Sequence, residues 1–124
     1  MKLAHWILFV AALLPYVIVA TAKARKGYDN ADPRNLSQYD GWRRRAYLAH
    51  NNAFEAFAFF AVAVLLATYR GAGETFVGIA ATVWLAMRIL HWFTYVTDRA
   101  TARSLVWFAG SFATIAIFLA GLFT

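Results

Sequence analysis

The sequence predicts an all-α integral membrane protein, a single domain built as a bundle of four transmembrane helices, and three observations carry that expectation. Of 124 residues, 62% are hydrophobic and 15% charged, whereas a soluble domain has roughly 45–50% apolar and about 25% charged residues. The apolar residues gather into four runs, at 3–22, 46–69, 76–96 and 104–123, each close to the ~20 residues that cross a hydrocarbon core as helix. Most of the charges fall between these runs, so the net charge of +6 matters less than its distribution.

The first run follows Lys2, as a signal peptide would, but it is long and the basic residues Lys23, Arg25 and Lys26 follow it directly. It therefore reads as a retained helix, bent at Pro15 where a backbone donor is missing. A connection over residues 23–45 follows, carrying seven basic residues and a turn around Pro33. The second run ends at the short glycine turn 70–74, and the third at the basic segment 97–103. Basic loops stay on the cytoplasmic side, so the first and third connections are expected in the cytoplasm and both termini opposite. Lys2 and Arg70 are the basic residues on the far side.

The second and third runs hold polar groups that lipid disfavours, and such groups face a bundle interior or a wet cavity. In the second, Arg45, Asn52 and Glu55 recur at i, i+7 and i+10, which places them on one side of a helix. His50 points nearly the opposite way. In the third, Arg88, His91 and Tyr95 recur at i, i+3 and i+7. Counted from the cytoplasmic ends at Ala46 and Val96, Glu55 and Arg88 both lie roughly 12–14 Å into the membrane. Asn52 and His91 match one turn nearer the cytoplasm. Antiparallel packing then sets Glu55 beside Arg88 and Asn52 beside His91, within one protomer or across a subunit boundary. A buried Glu–Arg pair alone is more often structural glue. Five or six polar residues on facing stripes, opening to a basic rim, instead describe a pocket that attracts an anion.

The absence of cysteine removes disulfides and thiolate metal sites, and any thiol chemistry needs a thiol from a ligand. His5, His50 and His91 share no face with metal-ligand spacing. Nucleic acid is not an expected partner, because membrane orientation already accounts for the basic groups.

These residues together resemble the MAPEG family, the membrane-associated proteins of eicosanoid and glutathione metabolism. The likeness rests on RxxxxHxNxxE in the second run (Arg45, His50, Asn52, Glu55), RxxHxxxY in the third (Arg88, His91, Tyr95) and the pair Arg103–Ser104. It implies a homotrimer in the membrane lipids, with glutathione as thiol co-substrate held between protomers near the cytoplasmic face. Asn52 and Glu55 of one subunit and Arg88, His91 and Tyr95 of the next would help form the site, with Arg25 or Lys26 meeting a carboxylate of the tripeptide. Arg103 takes the place of the arginine that stabilises the thiolate, and Ser104 that of the neighbouring hydroxyl. The implied activity is that of a glutathione transferase or peroxidase acting on lipophilic small molecules. The chain departs from some members at Leu48 and Asn51, where they carry basic residues. Two other readings compete with the enzyme: a non-catalytic subunit or scaffold that keeps the polar stripe for assembly, and a proton or small-ion pathway through Glu55 and His91.

Overall fold

A computed structural model describes residues 2–124, apart from the side chain of Lys2. Four long helices run α1 (Lys2–Lys23), α2 (Gly41–Arg70), α3 (Glu74–Val96) and α4 (Ala100–Leu122), with a single 3-10 turn at Leu36–Gln38 in the first connection. All four are long and apolar enough to cross a membrane. The chain is thus a four-helix, all-α protein with the attributes of a multi-pass membrane protein. α1 packs on α2 and α3, and α4 packs on α3 and α2. The groove between α2, α3 and α4 is therefore separate from the α1 side.

The four expected runs are all helical, but two helices begin four or five residues before their apolar runs. α2 starts at Gly41 rather than 46, and α4 at Ala100 rather than 104. Its 30 residues make α2 roughly 45 Å long, as long as the whole bilayer with its headgroups. Its first turns, with Arg43, Arg44 and Arg45, extend into the headgroup region, where long basic side chains keep their charge wet while the helix continues. α1 is continuous through Pro15, which lies fully buried and supplies no N–H to the carbonyl of Ala11.

The turns explain where the helices stop. Gly71 closes α2 in the left-handed region at φ 74°. The N–H groups of Gly71 and Ala72 bond the carbonyls of Thr68 and Ala67 at 3.1 and 2.9 Å, the pattern that satisfies a helix's last acceptors. Asp98 does the same for α3 at φ 59°: its N–H reaches the carbonyl of Tyr95, and that of Arg99 reaches Thr94 at 2.9 Å. A side chain there costs about 1–2 kcal/mol, which Asp tolerates best after Gly and Asn. Accordingly, Asp98→Gly should stabilise the protein by up to about 1 kcal/mol and Asp98→Val should destabilise it by about 1–2 kcal/mol, both read from thermal unfolding in detergent. A valine variant as stable as the parent would contradict the cap.

At mid-membrane, Phe60 of α2 stacks on Trp84 of α3 with centroids 3.8 Å apart and planes within 4°. Small residues surround the pair, among them Ala63, Ala67 and Ala81, and let the backbones approach. A second cluster at the loop end joins Ile18 and Ala22 of α1 to Ala46 and Ala49 of α2 under Tyr39. Tyr39 folds the first connection down onto the bundle. Its hydroxyl donates to the carbonyl of Pro33 at 2.6 Å, and its ring stacks on Tyr47 at 4.7 Å. Burial raises its ionisation well above that of an ordinary phenol.

Candidate functional site

The polar stripes of α2 and α3 meet within one chain. Two adjoining cavities lie between α2, α3 and α4, of about 190 and 330 Å³, and share Asn52 and Trp107 as walls. The larger falls in the range of small-molecule pockets, roughly 300–1,000 Å³. It opens toward the end of the bundle that carries the first and third connections, and is lined by His91, Tyr95, Arg103 and Ser104. The other lies deeper, with Glu55 and Arg88 at its wall.

Local folding explains why these side chains converge. Because α4 begins at Ala100, Arg103 and Ser104 stand on its first turns instead of in a loop. The guanidinium of Arg103 rests over the ring of Tyr95, 4.5 Å from its centroid. Tyr95 in turn meets His91 edge-on at 5.5 Å. One cation and several hydrogen-bonding groups thus face the larger cavity, and no carboxylate lines it. That arrangement is electrostatically suited to an anionic ligand.

Arg88 differs from the expectation. It is 3% exposed, and its Nη2 donates to Oδ1 of Asn52 at 2.9 Å. Among the described residues no contact of ion-pair length joins it to Glu55. Glu55 lies one turn beyond Asn52 and is open to the deeper cavity. The two helices meet at the expected level: Glu55 and Arg88 line the same cavity within reach of each other's charge, while the hydrogen-bonded pair is Asn52 with Arg88. The Nε of Arg88 is buried with no partner, a donor left for an acceptor that would enter the cleft.

The consequence for stability can be tested. Arg88→Ala should cost about 2–4 kcal/mol through the cavity it leaves and the unpaired Asn52, whereas Glu55→Gln should change stability by less than about 0.5 kcal/mol. Denaturation midpoints in detergent measure both. Equal losses would mean that Glu55 is held by a buried partner after all.

Other expected site residues stand apart from the cleft. Arg45 donates through Nε to the carbonyl of Val96 at 3.1 Å, tying the start of α2 to the end of α3. Arg25 bonds the carbonyls of Lys26 and Gly27 within its own turn. Neither Arg25 nor Lys26 lines either cavity, because both follow α1, on the other side of α2. His50 also turns to that side, against Tyr47 and Phe54. Arg99 sits over Phe93, so the stripe of α3 does not continue through it.

Beyond Arg103 and Ser104, the wall contributed by α4 is the part of the site that the sequence does not announce. Ser104, Ser111 and Thr114 all line the cleft, and their spacing of i, i+7 and i+10 repeats that of Arg45, Asn52 and Glu55. Small hydroxyl residues are common on helix interfaces, so this signal is weak, but it is present. Trp107 lies between them and borders both cavities.

Fold and site together define a membrane-embedded four-helix protein with a polar, cationic cleft between three of its helices. The family model described as "MAPEG family" matches residues 3–123, nearly the whole chain. The protein belongs to the MAPEG family, a family of membrane proteins connected with glutathione. No curated protein matches the chain.

Proposed function

We propose that this protein is a membrane glutathione transferase or peroxidase that uses the cleft between α2, α3 and α4 to activate the thiol of glutathione against lipophilic electrophiles. The observation that carries the reading is the placement of Arg103 and Ser104 in one cavity with Asn52, His91 and Tyr95.

The donor set fits the tripeptide, which carries two carboxylates, an ammonium and a thiol. Guanidinium groups match carboxylates in bidentate geometry, and Arg88 has a buried donor free at the cleft. Glu55, without an ion-pair partner among the described residues, is available to an ammonium. Arg103 would stand beside the sulfur. A free thiol of this type ionises near pH 8.5, and a guanidinium a few ångströms away favours the thiolate. Ser104 would add a hydrogen bond to the sulfur. The proton leaves to water, so no protein base is needed. The sulfur then bonds the electrophilic atom as the leaving group departs. The electrophile reaches the cleft sideways from the bilayer, past the partly exposed Trp107 and Phe108.

The same reading assembles the protein as a homotrimer in the membrane, with the basic connections on the cytoplasmic side. It also assigns Arg25 and Lys26. Because they stand away from their own chain's cleft, they would serve the cleft of a neighbouring copy, where a carboxylate of glutathione could reach them. A scaffold without catalysis is the second reading. It is favoured by the Arg88–Asn52 hydrogen bond, which joins two helices with no ligand required.

Titration calorimetry of the purified protein with glutathione tests the choice. Saturable heat at millimolar glutathione, reduced by Arg103→Ala, supports the enzyme. No heat under those conditions favours the scaffold.

A further inference from the structure

A second cleft lies on another face of α3, away from the polar site. It is lined by Thr21 of α1, Trp42 of α2, and Ile89, Trp92, Phe93 and Val96 of α3, and has a volume of about 430 Å³. Its walls are almost entirely apolar. Trp42, Ile89 and Phe93 each leave roughly half of their surface outside the bundle, so the cleft is an open groove at the loop end of the helices. In a membrane this groove is filled by lipid.

The rim indicates which lipid. The guanidinium of Arg43 lies 4.4 Å from the ring of Trp42, and that of Arg99 lies 5.8 Å from the ring of Phe93. Two cations therefore rest on two rings of the groove at the level where acyl chains give way to headgroups. Arg43 is fixed there by a hydrogen bond from Nη2 to the carbonyl of Ala24 at 3.0 Å, and its buried Nε has no partner. Asp40 and Asp98 lie near the two arginines in sequence, yet among the described residues neither arginine forms an ion pair. Arg45 donates to the backbone carbonyl of Val96, which lines the groove.

We propose that this groove is a binding site for an anionic phospholipid, with one acyl chain along Ile89, Trp92 and Phe93 and the phosphate between Arg43 and Arg99. An apolar slot alone would accept any chain. The paired cations select by headgroup charge, since each basic residue near the membrane surface favours an anionic lipid roughly fivefold. The site is independent of the glutathione cleft and stands whether or not the protein is an enzyme.

Native mass spectrometry tests it. The full-length protein is released from nanodiscs holding equal amounts of phosphatidylglycerol and phosphatidylcholine with the same acyl chains. Retained phosphatidylglycerol should exceed phosphatidylcholine by about 25-fold, and the double variant Arg43→Gln/Arg99→Gln should lose that preference. Ile89→Trp, which fills the groove from an exposed helical position without touching either arginine, should lower retention of both lipids severalfold with helicity unchanged by circular dichroism. Millimolar inorganic phosphate should not displace the lipid. Equal retention of the two lipids by the unmodified protein would overturn the proposal. So would an unaltered preference in the double variant, unchanged retention in Ile89→Trp, or displacement by phosphate alone.

Discussion

Replacing Arg103 with alanine should abolish thiolate formation at neutral pH while leaving the helical bundle intact. The sign follows from electrostatics. A positive charge beside the sulfur lowers the thiol pKa by about 1–3 units, so thiolate persists above the lowered value and is lost as pH falls through it. Without Arg103 the value returns toward ~8.5, and at pH 7 the ionised fraction falls by about tenfold or more. Ultraviolet thiolate absorbance of the protein–glutathione mixture, followed across pH, should show its midpoint rise by at least one unit in the variant. Turnover at pH 7 should fall with it and recover in part at alkaline pH. Arg103 is half-buried and touches Tyr95 mainly by stacking, so the fold loses little. An unshifted midpoint would remove Arg103 from the chemistry.

The second large effect concerns the far end of the bundle. Gly121 of α4 is buried against α2, and a Cβ built there would stand 2.9 Å from both the Cα and the N of Ala67. These are backbone atoms, which cannot turn aside as a side chain can. Gly121→Val should therefore force α4 from α2 and destabilise the protein by about 3 kcal/mol or more. Gly110, on the same helix, is the control. Its Cβ would meet the Cβ of Met87 at an ordinary 3.5 Å, so Gly110→Ala should be neutral or slightly stabilising, because alanine is the better helix former. Detergent-solubilised unfolding midpoints separate the two. A Gly121→Val variant of unchanged stability would mean that the α2–α4 contact is not made as described.

Much of this arrangement is legible in the amino-acid sequence, because lipid enforces simple rules. Every span needs its own run of apolar residues, and every polar group within one needs a reason to be there. Those rules are enough to set four helices, to bring Asn52 and Arg88 onto facing surfaces and to turn His50 away from them. They do not set register within a turn. Depth counted from a helix end is uncertain by a few residues when the helix continues past its apolar run, as α2 does from Gly41. Counting depth accordingly matches Glu55 to Arg88, where the hydrogen bond goes to Asn52. The start of α4 is obscured in the same way. Arg99 and Arg103 look like loop residues by hydropathy, yet a headgroup region solvates charge on a helix as well as on a loop, and Arg103 belongs to α4.

The cleft's third wall is hidden for another reason. Serine and threonine in a membrane helix can satisfy their hydroxyls on its own backbone, as Thr94 does on the carbonyls of Leu90 and His91. Their presence on α4 does not by itself demand a cavity. Subunit arrangement depends on which exposed apolar faces meet, and α1 through α4 all present such faces. The family likeness divides the site between two subunits, whereas α2, α3 and α4 of one chain already bring Asn52, Arg88, His91, Tyr95 and Arg103 around one cleft. What a neighbour would add is the end of α1, with Arg25 and Lys26.

The chain's lack of cysteine permits a direct test of where the tripeptide binds. Ser104→Cys places a single thiol in the cleft, and Thr101→Cys places one about a turn earlier on the same helix, at an exposed residue that lines neither cavity. Mixed-disulfide formation with oxidised glutathione, followed by intact-protein mass, should be fast and saturable at position 104. It should be slowed there by S-methylglutathione, and slow and unsaturated at position 101. Equal, unsaturable rates at the two positions would contradict a glutathione site between α2, α3 and α4.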